Sequence, residues 1–146
     1  MPAWAARSPT SKRFLVAGRS RIDAGDRRVI LVDTSIWVDH IRTPNARLIA
    51  LLHGDQVCMH PWVVGELACG NLADRANRLY LLRSLPPAAV ATEDEVLFFI
   101  DKSKISGKGV GYLDMHLLAA AALGIHKLWT RDKRLLAVAT LLGLNA

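Results

Sequence analysis

The sequence contains no long hydrophobic run and only two cysteines, and these shortages exclude several classes of protein. Its longest apolar stretches fall far short of the roughly 18 residues that a membrane-spanning helix needs, so we expect no membrane association. Cys58 and Cys69 lie in apolar segments without partners at metal-ligand spacing. This pattern favours buried thiols in a reducing cytoplasm over a disulfide or a zinc site. We therefore predict a cytoplasmic protein.

An excess of positive charge is also nearly absent from most of the chain. Residues 1–28 hold seven basic and two acidic side chains, a net charge of +5. The other 118 residues hold twelve basic and eleven acidic side chains, a net charge of +1. The overall net charge of +6 therefore does not by itself indicate a domain that binds nucleic acid.

From Val29 onward, short apolar runs alternate with amphipathic stretches, and nothing marks a repeat or a second domain. The predicted strands are VILVD (29–33), QVCMH (56–60) and HKLWT (126–130), with a further short strand at AAVAT (88–92). Short strands separated by helices are typical of a parallel sheet with helices on both faces. We therefore predict an α/β fold, a three-layer α/β/α domain with a central parallel β-sheet, over residues 29–146.

Several helix ends carry their own signals. Gly54 predicts the end of the helix ARLIALLHG, and Pro61 suits the first turn of PWVVGELACG. Thr92 and Glu95 have the spacing of a capping box, which predicts the start of EDEVLFFIDKS.

Four acids lie where a parallel sheet would gather them. Asp33 ends the first strand, and Asp132 follows HKLWT by two residues. Glu66 stands in an apolar helix after the second strand, and Asp114 begins a helix rich in alanine and leucine. Each acid alone has an ordinary explanation, such as a helix N-cap for Asp33 or Asp132. Sites in open parallel sheets form at the carboxyl ends of the strands, so we expect the four acids to converge.

Converging carboxylates repel one another unless a cation neutralises them. The four acids are hard oxygen donors, which favours Mg²⁺ or Mn²⁺ over zinc. A cation held in this way orients a phosphodiester and lowers the pKa of an attacking water. Basic residues adjoin the acids in sequence, and a basic rim around an acidic centre suits a polyanionic substrate. These residues are Lys102, Lys104, Lys108, Arg131, Lys133 and Arg134.

The four motifs together resemble a known family, the PIN-domain ribonucleases, and specifically the VapC-type toxins of bacterial toxin–antitoxin pairs. The resemblance covers residues 29–144 and rests on VDTSIWVDH around Asp33, HPWVVGELACG around Glu66, GKGVGYLDMHLLAAA around Asp114 and LWTRDKRL around Asp132. It implies a PIN-like fold and a metal-dependent endoribonuclease in which these four acids bind Mg²⁺ or Mn²⁺ and activate the hydrolytic water. It also implies a structured RNA substrate such as tRNA or rRNA, a homodimer, and inhibition by a cognate antitoxin.

Other functions fit the sequence less well. A haloacid-dehalogenase phosphatase needs a second Asp two residues after the first, where this chain has Ser35. A phosphoreceiver domain needs an acid pair after its first strand, which is missing. A non-catalytic RNA-binding module on the same fold would be expected to lack one or more of the acids. A housekeeping RNA-processing nuclease with the same chemistry remains the closest alternative, and genome context would separate it from a toxin.

Several polar residues near the acids have open roles. Thr34, Ser35 and Thr130 are predicted to cap helices, although a hydroxyl that holds an acid or a metal-bound water in place is the alternative. His116 is interpreted as a packed helix residue, and the segment GKGVG as a flexible rim of the site.

Three tryptophans and the polar end of one predicted helix are also interpreted from the sequence. Trp37, Trp62 and Trp129 are interpreted as anchors in the core or in a dimer interface rather than as platforms for base stacking. Asp39, His40 and Arg42 are interpreted as an exposed helix end.

Residues 1–28 mix Arg, Ser, Gly and Pro without a helical or strand period, so we predict a basic, disordered extension. The short run FLVAG, followed closely by arginines, excludes a secretory signal. Two hypotheses remain open. The extension is a basic arm that contacts RNA, or Val29 is the true first residue, translated from an alternative start codon.

Overall fold

The computed structural model describes residues 13–14 and 28–146, and its centre is a small parallel sheet covered by helices. The strands are β1 (Ile30–Val32), β2 (Val57–Cys58) and β3 (Lys127–Trp129). The helices are α1 (Thr34–Arg42), α2 (Ala46–His53), α3 (Pro61–Cys69), α4 (Arg75–Arg83), α5 (Glu93–Ser103), α6 (Tyr112–Gly124) and α7 (Lys133–Leu141). The strand order is β2-β1-β3, and both pairings are parallel. The predicted α/β fold with a central parallel sheet is confirmed.

The central strand, β1, explains the apolar run that precedes Asp33. Ile30 is in register with Val57 of β2 and with Lys127 of β3, so the strand has a neighbour on each side. Leu31 and Val32 are fully buried. A strand covered on both faces needs apolar side chains at successive positions rather than at alternate ones.

The predicted helix boundaries are confirmed by the caps. Gly54 is the C-cap of α2, and Pro61 is the first residue of α3. Both bonds of the capping box at α5 are present, with Thr92 N donating to Glu95 at 2.8 Å and Glu95 N donating to Thr92 Oγ1 at 3.2 Å. No helix within the described residues is long and apolar enough to cross a bilayer.

Two predictions of local structure are wrong. Residues 88–92 do not form a strand, and the neighbouring contact is a single parallel bridge between Met59 and Pro87. Prolines have no N–H to donate, so the pairing there is limited to Met59 N with Pro86 O at 2.8 Å and Ala88 N with Met59 O at 2.9 Å. Cys58 is buried as expected, but Cys69 is exposed near the end of α3.

Two residues of the predicted extension pack against the domain. Arg13 donates two hydrogen bonds to the buried carboxylate of Glu95, at 2.9 and 2.8 Å. The Phe14 ring stacks on Phe99 of α5, with 5.4 Å between the ring centroids. The predicted disorder of the rest of the extension concerns residues outside the described ones and stays a prediction.

Candidate active site

The carboxylate of Asp33 is fixed at the carboxyl end of the central strand. Its backbone N–H donates to Trp129 O of β3 at 2.9 Å, and its side chain is the N-cap of α1. Oδ1 accepts from Thr34 N at 2.7 Å, and Oδ2 accepts from the hydroxyls of Ser35 and Thr130, each at 2.8 Å. With 6% of its surface exposed, Asp33 is a buried charge held by three donors.

The two hydroxyls that bond Asp33 also bind the loop between β3 and α7. Ser35 Oγ accepts from Arg131 N at 3.1 Å, and Thr130 Oγ1 accepts from Asp132 N at 3.0 Å. Each hydroxyl therefore links the first acid to the segment that carries the last one. Ser35 and Thr130 hold an acid in place, which was the alternative to the predicted capping role, and the N-cap of α1 is Asp33 itself.

Glu66 and Asp132 reach the same region from two other helices. The Thr34 hydroxyl donates to the carboxylate of Glu66, which is exposed on α3. Asp132 is the N-cap of α7, and its Oδ1 accepts from Arg134 N at 2.8 Å and from Leu135 N at 3.0 Å. Asp33 and Asp132 are therefore both helix N-caps, the ordinary explanation for each acid alone, and one oxygen of Asp132 has no hydrogen-bond partner among the described residues.

Asp114 is the acid whose pKa is raised by the charges of the other three. It lies in the first turn of α6, partly buried, and has no hydrogen-bond partner within the described part of the chain. Burial raises the pKa of this carboxyl, the charges of Asp33, Asp132 and Glu66 act in the same direction, and together they bring it from 3.8 to about 6. The structure thus brings the four sequence-predicted acids into one electrostatic neighbourhood.

The donor set suits a hard divalent cation, although the acids are not drawn together. Among residues 13–14 and 28–146, no group of three or more His, Cys, Asp or Glu side chains is gathered tightly enough to hold a metal ion. Carboxylates without a counter-charge repel, and Asp33 and Asp132 are already tied to their own helix starts. Within the described residues, oxygens without hydrogen-bond partners remain on Asp114 and Asp132, and hard oxygen ligands are those that Mg²⁺ and Mn²⁺ prefer.

Two of the basic residues predicted to form a rim around the acids, Arg131 and Arg134, contact other parts of the protein. Arg131 forms a salt bridge with Asp39 in the last turn of α1, and both side chains are exposed, so this arginine already has an acidic partner. Gly109, in the loop GKGVG, lies against Arg134, and a Cβ built there would come within 3.2 Å of the Arg134 side chain. The φ of Gly109 is +73°, a conformation that favours glycine. The loop therefore borders the start of α7, beside Asp132.

Sequence reasoning missed a cluster of four ring side chains at the starts of α3 and α6, the helices that carry Glu66 and Asp114, which we call the aromatic cluster: His60, Trp62, Tyr112 and His116. His60 is fully buried and is the N-cap of α3, with Nδ1 accepting from Trp62 N at 3.1 Å. Burial lowers the pKa of His60 to about 4, and neighbouring His116 acts in the same direction. The sequence signal that could have revealed this cluster was a histidine directly before Pro61, at the start of a predicted helix.

Comparison with known proteins places the chain in a family. Residues 30–141 match the family model of the PIN domain, so the chain belongs to the PIN-domain family. Two curated relatives are both named Ribonuclease VapC32, from Mycobacterium tuberculosis strains CDC 1551 / Oshkosh and ATCC 25618 / H37Rv. Each is 46% identical over 108 residues, which is 73% of this chain and 87% of the relative. The predicted resemblance to VapC-type PIN-domain ribonucleases is confirmed.

Proposed function

We propose that the protein is an Mg²⁺- or Mn²⁺-dependent endoribonuclease and the toxin of a toxin–antitoxin pair. The observation that supports the proposal is that the charges of Asp33, Asp132 and Glu66 all raise the pKa of Asp114, so these four hard oxygen donors lie close enough to interact. Membership of the PIN-domain family and the name of the relatives, which describes a ribonuclease, support RNA as the substrate.

Each acid has a distinct role in this proposal. Asp33 provides a fixed negative charge, because three hydrogen bonds hold its carboxylate at the end of β1. Asp114 provides a carboxylate that has no hydrogen-bond partner among the described residues and is therefore open to a cation. Glu66 and Asp132 complete the donor set from α3 and α7. A divalent cation bound there would orient the scissile phosphodiester and acidify an attacking water.

The remaining parts of the proposal concern partners and location. The protein acts in the cytoplasm on an RNA such as tRNA or rRNA, forms a homodimer, and is inhibited by a cognate antitoxin. A housekeeping RNA-processing nuclease of the same fold is the alternative, because it would use the same four acids. A non-catalytic RNA-binding module is disfavoured, since all four acids are present.

RNA cleavage with and without divalent cations tests the chemistry. We expect cleavage with Mg²⁺ or Mn²⁺, none in excess EDTA, and none by the Asp114→Asn variant. Asp55→Asn is a matched control, because exposed Asp55 precedes β2 at the opposite edge of the sheet and has a φ of 53°, which asparagine tolerates. Undiminished cleavage by Asp114→Asn or in EDTA would refute the metal mechanism.

Expression in cells separates the toxin from the housekeeping nuclease. We expect induced expression to stop growth and to generate new RNA 5′ ends, and co-expression of the adjacent gene to suppress both effects. Growth that is unaffected by the active protein would contradict the toxin assignment and leave the housekeeping alternative.

A further inference from the structure

We propose that Trp62 and Tyr112, supported by His116, form a stacking platform for one unpaired nucleobase of the RNA, on the two helices that carry Glu66 and Asp114. The inference rests on the proposed function, because it assumes that RNA is the molecule bound. It differs from the sequence-based interpretation of Trp62 as a core or dimer anchor.

The platform rings are partly open to solvent although they are large and aromatic. Trp62 is 38% exposed and Tyr112 is 43% exposed. Their ring centroids are 6.4 Å apart, and the ring planes form an angle of 67°. An apolar surface of this kind is costly to leave uncovered, and aromatic rings next to a polyanion site are the side chains on which bases stack.

The platform is held in position by the two histidines of the aromatic cluster. His116 is buried and supports Trp62, with 4.0 Å between ring centroids, and it contacts Tyr112 edge-on at 4.7 Å. His60 fixes the first turn of α3 through its bond from Trp62 N. A ring packed in this way loses little freedom when a base stacks on it, which favours binding.

The buried histidines are not explained by packing alone. Both ring nitrogens of His116, and Nε2 of His60, lack a hydrogen-bond partner within the described residues. Buried polar atoms are nearly always paired in folded proteins, so these nitrogens are unusual for a packed core. The His116 ring lies against both Trp62 and Tyr112, and the His60 ring contacts Trp62 edge-on with 6.3 Å between ring centroids.

The position of Trp62 favours RNA over a second copy of this chain. Trp62 precedes Glu66 by four residues on α3, so the two side chains share one helix face, about 5–6 Å apart at their Cβ atoms. A base on Trp62 would therefore belong to a nucleotide close to the phosphate at the acids. A second copy seated on Trp62 would also cover Glu66 and obstruct the substrate.

Binding of a short fluorescein-labelled single-stranded oligoribonucleotide of mixed sequence, measured with Mg²⁺ in an Asp114→Asn background that does not cleave, tests the platform. We expect Trp62→Ala to weaken binding about 5- to 150-fold, the range for one base stacked on one aromatic ring, and Trp62→Phe to retain most of the affinity. Tyr80→Ala is the control, because Tyr80 is an exposed tyrosine of α4 outside the cluster. Circular dichroism checks that every variant is folded.

Oligonucleotides that each lack one base give the sharper test. At one position, removing the base should weaken binding to the parent protein and have no further effect on Trp62→Ala. Equal affinity of Trp62→Ala and its parent, or losses that add at every position, would overturn the proposal. Unchanged RNA affinity together with a dimer that dissociates would instead assign Trp62 to a protein interface. A protein that binds the base but never cleaves RNA would refute the proposed function and leave the platform intact.

Discussion

Replacing Asp33 separates its structural role from its chemical one. In Asp33→Asn the remaining amide oxygen can still accept from Thr34 N, because asparagine is as good an N-cap as aspartate. The amide NH₂ then faces the hydroxyls of Ser35 and Thr130, which must donate elsewhere. Asp33→Ala removes the cap and leaves both hydroxyls without this acceptor.

The two variants should differ by a measurable amount. Losing the cap costs about 1 kcal/mol, and leaving buried hydroxyl groups without an acceptor costs about 1–3 kcal/mol more, so Asp33→Ala should lose about 2–4 kcal/mol of the free energy of unfolding. Asp33→Asn should lose about 1 kcal/mol, because it keeps the cap and relieves the repulsion of Asp114. Cleavage should fall at least on the order of 100-fold in both, the effect of removing one preorganised charge.

Urea unfolding of the EDTA-treated proteins, together with cleavage rates in Mg²⁺, measures both effects. The decisive pattern is an asparagine variant that is folded, nearly as stable as the parent, and inactive. An asparagine variant that cleaves RNA at the parent rate would refute the role of the Asp33 carboxylate. An alanine variant as stable as the asparagine variant would refute the account of the hydrogen bonds.

Two further predictions concern Asp114 and the extension. Because its pKa in the folded chain is about 6, above the ordinary 3.8, Asp114 binds a proton more tightly when folded, so the metal-free protein should gain stability as the pH falls from about 6 to about 4. Thermal unfolding in EDTA should show this gain in the parent and a smaller one in Asp114→Asn. Equal gains would contradict the assignment of the raised pKa to Asp114. Arg13→Ala should lower the free energy of unfolding by about 1 kcal/mol in urea, since half-exposed Arg13 neutralises buried Glu95. No loss, either in this variant or in a chain of residues 29–146, would favour Val29 as the first residue.

The positions of the acids could be predicted because they follow from topology. A parallel sheet places the carboxyl ends of its strands on one edge, so a strand ending at Asp33 and another shortly before Asp132 had to bring those residues together. The apolar surroundings of Glu66 and Asp114 in sequence marked them as unusual. These signals are local, and the fold brings the four acids into one electrostatic neighbourhood.

The hydrogen bonds and packing around the acids could not be predicted, because they join residues that are far apart in the sequence. Thr130 bonds Asp33 across 97 positions, and the sequence offered only a choice between capping and holding an acid. The exposure of Trp62 depends on which helix lies over it, and the sequence does not give this. A tryptophan between apolar residues was therefore interpreted as an anchor in the core or in a dimer interface. Residues 88–92 have strand-forming side chains, but the two prolines before them limit the pairing to one bridge.

The strand order sets a limit on when the protein can act during its own synthesis. β1 pairs with β3, so Asp33 receives its bonds from Trp129 and Thr130 only after nearly the whole chain has been made. At about 5–20 residues per second, the ribosome needs roughly 5–20 s to proceed from Asp33 to that point. Until then the nascent chain lacks the strand that completes the sheet around Asp33. A partner protein synthesised during that interval would already be present when the chain is completed and folds. It would therefore meet the newly folded protein and never an active fragment.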